Sequence, residues 1–259
     1  MRLKDRVAII TGGGQGIGKA IAEAFIEQGA KLLIADINGE SAARTAAELS
    51  ARGTAAAFQV DVASPDGGER LAAQCVREFG RIDILVNNAG VGMNKRILDV
   101  TLAEWQRVID INLTGAFLVA QAAAKRMVAQ RYGKIIHICS LSGQRGGIGR
   151  AAYGASKAGL ELLMKVMAVE LGELGINVNG IVPGPIATDV GRAMHDPATV
   201  EAYNFLVPQR RYGVPEEIAH AAVFLASSES DYINGHALNV DGGFQAAGLM
   251  YPLPGSKHA

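Results

Sequence analysis

Cysteine and histidine are sparse in this chain and widely spaced. The two cysteines among its 259 residues, Cys75 and Cys139, belong to no CxxC pair, which excludes a disulfide framework and a zinc-finger site. We expect both thiols in the core. The five histidines lack metal-ligand spacing, and His137 alternates with apolar neighbours as a core residue would, so no catalytic metal is predicted.

An excess of either charge is also missing. Lys and Arg together number 25, as do Asp and Glu, so the sequence has no electrostatic signature of nucleic-acid or anionic-membrane binding. A small molecule is the expected partner. No stretch approaches the roughly 18 apolar residues of a membrane span, and the first apolar run is too short for a signal peptide. A cytoplasmic location is therefore the expectation.

What the sequence does contain is a regular alternation of two patterns. Short apolar, β-branched runs such as RVAIIT and KLLIAD alternate with longer segments of helical period such as GKAIAEAFIEQG. This alternation is typical of βαβ units on a parallel sheet. We therefore predict an α/β fold: a single doubly wound, Rossmann-type domain over residues 1–259, with about seven parallel strands and helices on both faces.

Two local signals add detail to this outline. Residues 245–259 are predicted to form a C-terminal tail. Ser64 before Pro65 predicts a helix start, with an N-cap and a first-turn proline. Residues 183–214 form a long stretch without clear periodicity after a predicted strand. Because long irregular segments in compact domains are usually lids or binding loops, we predict a substrate-binding lid there, with a meandering surface connection as the alternative.

The segment TGGGQGIGKA, residues 11–20, has features of two phosphate-binding loops. As a P-loop it lacks the Ser or Thr that coordinates magnesium, because Ala20 occupies that position, and no starting glycine satisfies GxGxxG. Asp36 separates the two hypotheses. It ends the second predicted strand, 18 residues beyond Gly18, where a carboxylate can bind a ribose 2′-hydroxyl. The loop is therefore predicted to bind a dinucleotide.

The actual spacing, Thr11 and Gly12 followed by Gly16 and Gly18, resembles the TGxxxGxG motif of the short-chain dehydrogenase/reductase family. The other motifs of that family follow in order: NNAG at 87–90, Asn112 in DINLTGAF, Ser140 in HICSLSG, YGASK at 153–157, PGPIAT at 183–188 and NVDGG at 239–243. The resemblance extends from about residue 5 to residue 245. It implies an enzyme that uses a nicotinamide dinucleotide.

Tyr153 and Lys157 are spaced i, i+4 and so share one face of a helix. A lysine ammonium about 4 Å from the phenol would favour its ionised form by roughly 4 kcal/mol at an effective dielectric of about 20, which makes Tyr153 the predicted acid/base. The resemblance implies that Ser140 hydrogen-bonds the reacting oxygen. It also implies that Asn112 holds, through its backbone carbonyl, a water that relays protons to Lys157.

The resemblance further implies a set of contacts with the dinucleotide NAD. The predicted cofactor-binding residues are Gly12, Gln15, Gly16, Ile17, Gly18, Asp36, Ile37, Asp61, Val62, Asn88, Ala89, Gly90, Tyr153, Lys157, Pro183, Gly184, Ile186 and Thr188. By itself, Asp61 is equally compatible with a capping or turn role. The predicted substrate-binding residues are Ser140, Ser142, Gln144, Asn94, Tyr153, Met194, His195 and Phe205.

Together these patterns predict an oxidoreductase that transfers a hydride between NAD(H) and a secondary alcohol or ketone, with a sugar, polyol or hydroxy acid as substrate. NAD is favoured over NADP because Asp36 would repel a 2′-phosphate, and Gln15 and Ile37 occupy positions where NADP-dependent relatives often carry a cation. The alternatives are a 3-oxoacyl-[acyl-carrier-protein] reductase, which generally uses NADPH, and a catalytically inactive dinucleotide-binding regulator.

The segment AGLELLMKVMAVELGEL has apolar residues nearly all round its predicted helix. One face can cover the sheet while another still needs burial. A partner subunit is the expected cover, and the family resemblance sharpens this expectation to a homotetramer.

Overall fold

The computed structural model describes residues 1–188, 195–248 and 250, which form one parallel sheet of seven strands in the order β3-β2-β1-β4-β5-β6-β7. The strands are β1 Val7–Thr11, β2 Lys31–Asp36, β3 Ala55–Gln59, β4 Ile84–Asn87, β5 Gly133–Ile138, β6 Ile176–Pro183 and β7 Ala237–Val240. Each neighbouring pair is parallel. The predicted parallel sheet is confirmed.

Helices cover both faces of this sheet. They are α1 Gly16–Glu27, α2 Gly39–Ser50, α3 Gly67–Phe79, α4 Leu102–Ile109, α5 Ala116–Gln130, α6 Ala151–Leu171, α7 Pro197–Leu206 and α8 Pro215–Ala226. A π-helical turn, Asp110–Gly115, joins α4 to α5. None of the helices in the described ranges is long and apolar enough to cross a membrane.

The two faces of the sheet bury separate apolar cores, which β1 illustrates. Ile10 packs in the core that includes Ile21 and Phe25 of α1, whereas Ile9 packs in the core that includes Leu71 of α3. Successive side chains of a strand point to opposite faces, so a strand covered on both sides must be apolar throughout. This explains the continuous apolar runs in the sequence and confirms the doubly wound arrangement.

Cys75, Cys139 and His137 lie in the interior, as predicted. Burial raises the pKa of both thiols to about 12. Burial, and secondarily the charge of Lys157, lowers the pKa of His137 to about 3. Neither ring nitrogen of His137 has a hydrogen-bond partner among the described residues.

Two local predictions need correction. Helix α3 begins at Gly67, and the Ser64 hydroxyl donates a 2.8 Å hydrogen bond to the Asp61 carbonyl instead of capping the helix. The aperiodic segment 183–214 contains α7, whose N-cap Asp196 accepts a 2.7 Å hydrogen bond from the Thr199 N–H. This helix was missed because its short sequence has no continuous apolar stripe.

Strand order places the candidate site. β1 pairs with β2 on one side and with β4 on the other, so the chain winds outward in both directions from this point. In such sheets a crevice opens at the carboxyl ends of the central strands. The glycine loop follows β1 and the NNAG segment follows β4, so both lie at this crevice.

Candidate active site

The glycine loop turns from β1 into α1 at very close range. Gly12 has a φ of +62°, a left-handed conformation that favours glycine. A Cβ on Gly18 would collide with the Gly12 carbonyl oxygen, so the first turn of α1 packs directly on the loop backbone. These two glycines therefore shape a surface that a ligand can approach without meeting side chains.

Thr11 fastens this loop to the NNAG segment. Its Oγ1 accepts hydrogen bonds from the N–H groups of Asn88 and Ala89, at 2.9 and 3.0 Å. The Asn88 side chain donates in turn to the carbonyls of Thr11 and Gly12, at 2.9 and 3.1 Å. The predicted contacts on the two loops are thus held at one edge of the sheet.

The N-terminus of α1 is suited to a diphosphate. Within the described residues, Gln15 makes no side-chain capping bond and no acidic residue lies in the first turn, which contains Gly16, Ile17 and Gly18. Helix N-termini leave backbone N–H groups without intrahelical partners and favour anions. A Cβ on Gly16 would meet the Thr188 methyl at 3.7 Å, so the loop after β6 reaches the same place. The residues present fit a dinucleotide.

Asp36 ends β2 beside the glycine loop, as predicted. Its carboxylate accepts hydrogen bonds from the N–H groups of Gly14 and Asn38, at 3.1 and 3.0 Å. Ile37 is largely exposed next to it. A cation that sequence reasoning missed lies nearby: Arg44 Nη2 is 3.4 Å from the Ser41 hydroxyl, which itself donates 2.8 Å to the Gly14 carbonyl.

Tyr153 and Lys157 meet on α6, with the lysine one turn after the tyrosine. The buried Lys157 ammonium is 5.9 Å from the centroid of the Tyr153 ring and donates 2.7 Å to the Ile138 carbonyl. A Cβ on Gly90 would lie 3.7 Å from the same ammonium. The positive charge is therefore fixed between α6, the end of β5 and the NNAG segment.

Asn112 is buried in the π-helical turn and fully engaged through its side chain. Its Oδ1 accepts 2.8 Å from the Val91 N–H, and its Nδ2 donates to the Val91 carbonyl at 2.9 Å and to the Ser156 hydroxyl at 3.1 Å. The amide thus ties the turn to α6 and to the segment after β4. The π turn that contains Asn112 also shifts the backbone hydrogen-bond pattern at this point of the chain.

Ser140 follows the end of β5 in an extended conformation, with φ of −167°. Its hydroxyl oxygen accepts 3.1 Å from the Ser142 N–H. A hydroxyl that accepts in this way keeps its own proton to donate to another oxygen. Ser140 and Lys157 are thereby positioned by the same strand end.

Comparisons with known proteins identify the family. The family model described as Enoyl-(Acyl carrier protein) reductase matches residues 12–245. A 3-oxoacyl-[acyl-carrier-protein] reductase of Synechocystis sp. is 42% identical over 244 residues, covering 93% of this chain and 97% of that protein. The D-threitol dehydrogenase of Mycolicibacterium smegmatis is 41% identical over 244 residues, covering 94% of each. This chain belongs to the short-chain dehydrogenase/reductase family.

The chain also resembles a solved 7α-hydroxysteroid dehydrogenase complexed with NADH and 7-oxo glycochenodeoxycholic acid. The TM-score is 0.90 at 38% identity, covering 93% of this chain and 95% of that one. These matches span the elements that form the site. The chain is therefore an oxidoreductase of a family that binds nicotinamide dinucleotides, as the sequence predicts, and its relatives act on chemically different substrates.

The remaining predicted cofactor residues lie at the same edge of the sheet. Val62 is buried, and the Asp61 carboxylate accepts 2.9 Å from the Ala63 N–H in a local turn. Pro183 ends β6, the Gly184 N–H donates 3.0 Å to the Val240 carbonyl, and Ile186 is buried in a bridge with Gly213.

The predicted substrate residues Ser142 and Gln144 follow β5, and Asn94 follows β4. Ser142 and Gln144 line a cavity of about 370 Å³ whose lining also includes Arg150 and Gly154. The Gln144 amide donates 2.9 Å to Glu161 and accepts 3.2 Å from Asn239. The exposed Asn94 packs against Gly149. The two hydrogen bonds of Gln144 therefore link α6 to β7.

The residues predicted to lie in a lid have different surroundings. The His195 ring lies 5.2 Å from that of Tyr203, whereas Phe205 is 60% exposed and contacts the Arg210 guanidinium. Tyr203, which sequence reasoning did not select, is half-buried and also contacts the rings of Tyr212 and Phe244. Met194 lies outside the described residues.

Proposed function

We propose that this enzyme transfers a hydride between NAD(H) and a secondary alcohol or ketone, with Tyr153 as the proton donor and acceptor. When bound, the nicotinamide supplies the hydride chemistry. The observation that carries the proposal is the hydrogen bond of Lys157, one helical turn after Tyr153, to Ile138 at the end of β5, two residues before Ser140 and beside a glycine loop that fits a dinucleotide.

Each group has a role that follows from its contacts. The Ser140 hydroxyl donates to the reacting oxygen and holds it near the Tyr153 phenol. The fixed Lys157 ammonium favours negative charge on that phenol when the proton leaves. The backbone carbonyl of Asn112 holds a water that returns the proton to solvent through Lys157. None of these groups lies at the tip of a surface loop. Their fixed positions preserve a reactive geometry.

The proposed cofactor is NAD(H). Asp36 ends the second strand, where its carboxylate can accept a hydrogen bond from the adenosine ribose and would repel a 2′-phosphate. Arg44 opposes this preference, since its guanidinium approaches the same loop through Ser41. Because Arg44 is exposed and Asp36 is half-buried, the carboxylate is expected to dominate.

The proposed substrates are a sugar, a polyol or a hydroxy acid. The D-threitol dehydrogenase similarity supports a polyhydroxylated compound, and the 3-oxoacyl-[acyl-carrier-protein] reductase similarity supports the alternative of an acyl thioester. A panel of sugars, polyols, hydroxy acids and acyl thioesters, assayed with NAD(H) and NADP(H), tests the proposal. Turnover of acyl thioesters alone would favour the alternative, and dinucleotide binding without any turnover would favour a regulator.

The proposed assembly is a cytoplasmic homotetramer of single-domain chains, with residues 183–214 as a substrate lid. Helix α6 supports the association. It buries Leu160 and Met164 against the sheet but leaves Leu162, Val166 and Val169 exposed by 64%, 44% and 83%. An apolar stripe of this kind on a surface helix is suited to contact another subunit.

A further inference from the structure

A charged side chain beside Tyr153 has no part in the proposed proton transfer. Arg150 immediately precedes α6, and its guanidinium carbon lies 5.8 Å from the centroid of the Tyr153 ring. Its described contacts include no carboxylate at ion-pair distance. A half-buried cation that has no carboxylate partner among the described residues is available to bind an anionic group of a ligand.

His195, which lies in the proposed lid, holds the Arg150 guanidinium in place but does not neutralise its charge. Arg150 Nη2 lies 3.0 Å from His195 Nε2, and His195 Nδ1 lies 3.0 Å from the Tyr212 hydroxyl. Because a guanidinium only donates hydrogen bonds, Nε2 accepts and the ring proton lies on Nδ1. Burial, and secondarily the Arg150 charge, lowers the pKa of His195, which favours this neutral form. Burial raises the pKa of Tyr212 to about 12, so this partner is also neutral.

Most of the donors of Arg150 remain available. A guanidinium carries five N–H donors, of which one faces His195 and another donates 3.3 Å to the Met93 carbonyl. The others have no partner in the described part of the chain. The acid next to His195, Asp196, is engaged as the N-cap of α7, and Lys157 adds a second cation beside Tyr153. The surroundings of Tyr153 are thus positively charged.

We infer that the substrate carries a carboxylate close to its reacting carbon and that Arg150 binds this carboxylate. The inference rests on the proposed hydride transfer and narrows its substrates to hydroxy acids and the corresponding oxo acids. A planar guanidinium matches a carboxylate through two parallel hydrogen bonds, a geometry that a neutral polyol does not offer. His195 is a positioning residue, because it orients Arg150.

Three matched pairs test this inference, each an acid and a polyol of equal chain length: glycerate and glycerol, threonate and threitol, and gluconate and sorbitol. We expect the enzyme to prefer the acid in at least one pair. Arg150→Gln should lower kcat/KM for that acid by roughly 10- to 100-fold more than for the paired polyol, mainly through KM. For the acid, kcat/KM of Arg150→Lys should lie between the values for the wild type and for Arg150→Gln. Arg145→Gln is the matched control, because Arg145 donates to the Phe244 carbonyl instead.

A binding measurement separates this inference from the proposed function. Calorimetry on Tyr153→Phe saturated with NAD⁺ should detect the preferred acid, and the double variant with Arg150→Gln should lose that binding. If polyols are turned over and the acids are not, or if Arg150→Gln weakens both members of a pair equally, the inference is overturned and the proposed function stands. If an acid binds through Arg150 but no alcohol reacts with either cofactor, the inference is supported and the proposed function fails.

Discussion

The Lys157 ammonium and the Ile138 carbonyl lie 2.7 Å apart, in a hydrogen bond that joins α6 to the end of β5. Ile138 is two residues before Ser140, so one strand end positions both the lysine and the serine. Tyr153 lies one helical turn before Lys157 on the same helix. Tyr153 and Lys157 are therefore fixed on a helix, and Ser140 directly follows a strand; regular elements position reactive groups more accurately than loops do.

Loss of the Tyr153 hydroxyl should abolish proton transfer without disturbing the fold. We expect Tyr153→Phe to lower kcat by at least roughly 10² to 10⁴, the range for a lost general acid/base, while the dissociation constant for NADH stays within about threefold. Steady-state kinetics and NADH fluorescence titration measure the two quantities. Tyr232→Phe, at a fully exposed position, is the matched control, and wild-type turnover by Tyr153→Phe would refute the assignment.

Asp36 should set the cofactor preference. We expect the ratio of kcat/KM for NADH to that for NADPH to be at least roughly 100 in the wild type, because a 2′-phosphate loses a hydrogen bond and meets a like charge. Asp36→Ala should narrow this ratio, and the addition of Ile37→Arg should narrow or reverse it, since guanidinium binds phosphate well.

The ratio of kcat/KM for NADH to that for NADPH distinguishes the loss of the Asp36 charge from a less ordered glycine loop. The Asp36 carboxylate also holds the Gly14 and Asn38 N–H groups, so its removal can weaken both cofactors equally. Arg44→Ala should raise the ratio, because it removes a cation that approaches the glycine loop through Ser41. An unchanged ratio in Asp36→Ala, or equal use of NADPH by the wild type, would contradict the prediction.

His137 should make stability depend on pH. Its pKa of about 3 in the folded protein lies below the unfolded value of about 6.5, so the unfolded state binds more protons below that value. The stability that the folded protein has while His137 is neutral in both states is therefore fully present above about pH 6.5. It is lost as the pH falls towards 3. We expect His137→Leu to be more stable than the wild type at pH 7, because it removes two unpaired buried nitrogens.

The stability difference between His137→Leu and the wild type should widen by roughly 2 kcal/mol from pH 6.5 to pH 5. Denaturant unfolding at several pH values and one protein concentration measures it. The exposed His220→Leu is the matched control. A difference that stays constant with pH would show that His137 does not titrate on unfolding.

The exposed stripe on α6 should be a subunit contact. We expect the wild type to have a tetrameric mass by light scattering at micromolar concentration, and Val169→Glu to shift it to smaller species, because the variant would bury an unpaired charge. Ala43→Glu, which places the same charge at an exposed position of α2, should leave the mass unchanged. A monomeric wild type would overturn the assembly.

The sequence alone was sufficient for the alternation of strands and helices, the dinucleotide loop and the family. These features depend on local periodicity and on fixed spacings, as between Tyr153 and Lys157, which the chain carries regardless of what packs around it. The core positions of Cys75 and His137 followed from the same local pattern.

Only the tertiary structure showed helix α7, the π-helical turn around Asn112 and the chain of hydrogen bonds from Arg150 through His195 to Tyr212. Arg150 and Tyr212 are distant in sequence, and no local pattern distinguishes a guanidinium that has no carboxylate partner in the described ranges from one in solvent. Likewise, Tyr203 and Phe205 have similar apolar character, and the turn of the helix decided that Tyr203 contacts His195 while Phe205 is exposed. Burial and unpaired charge depend on contacts between segments that are distant in sequence. Because these contacts exist only in the folded chain, no local pattern could reveal them.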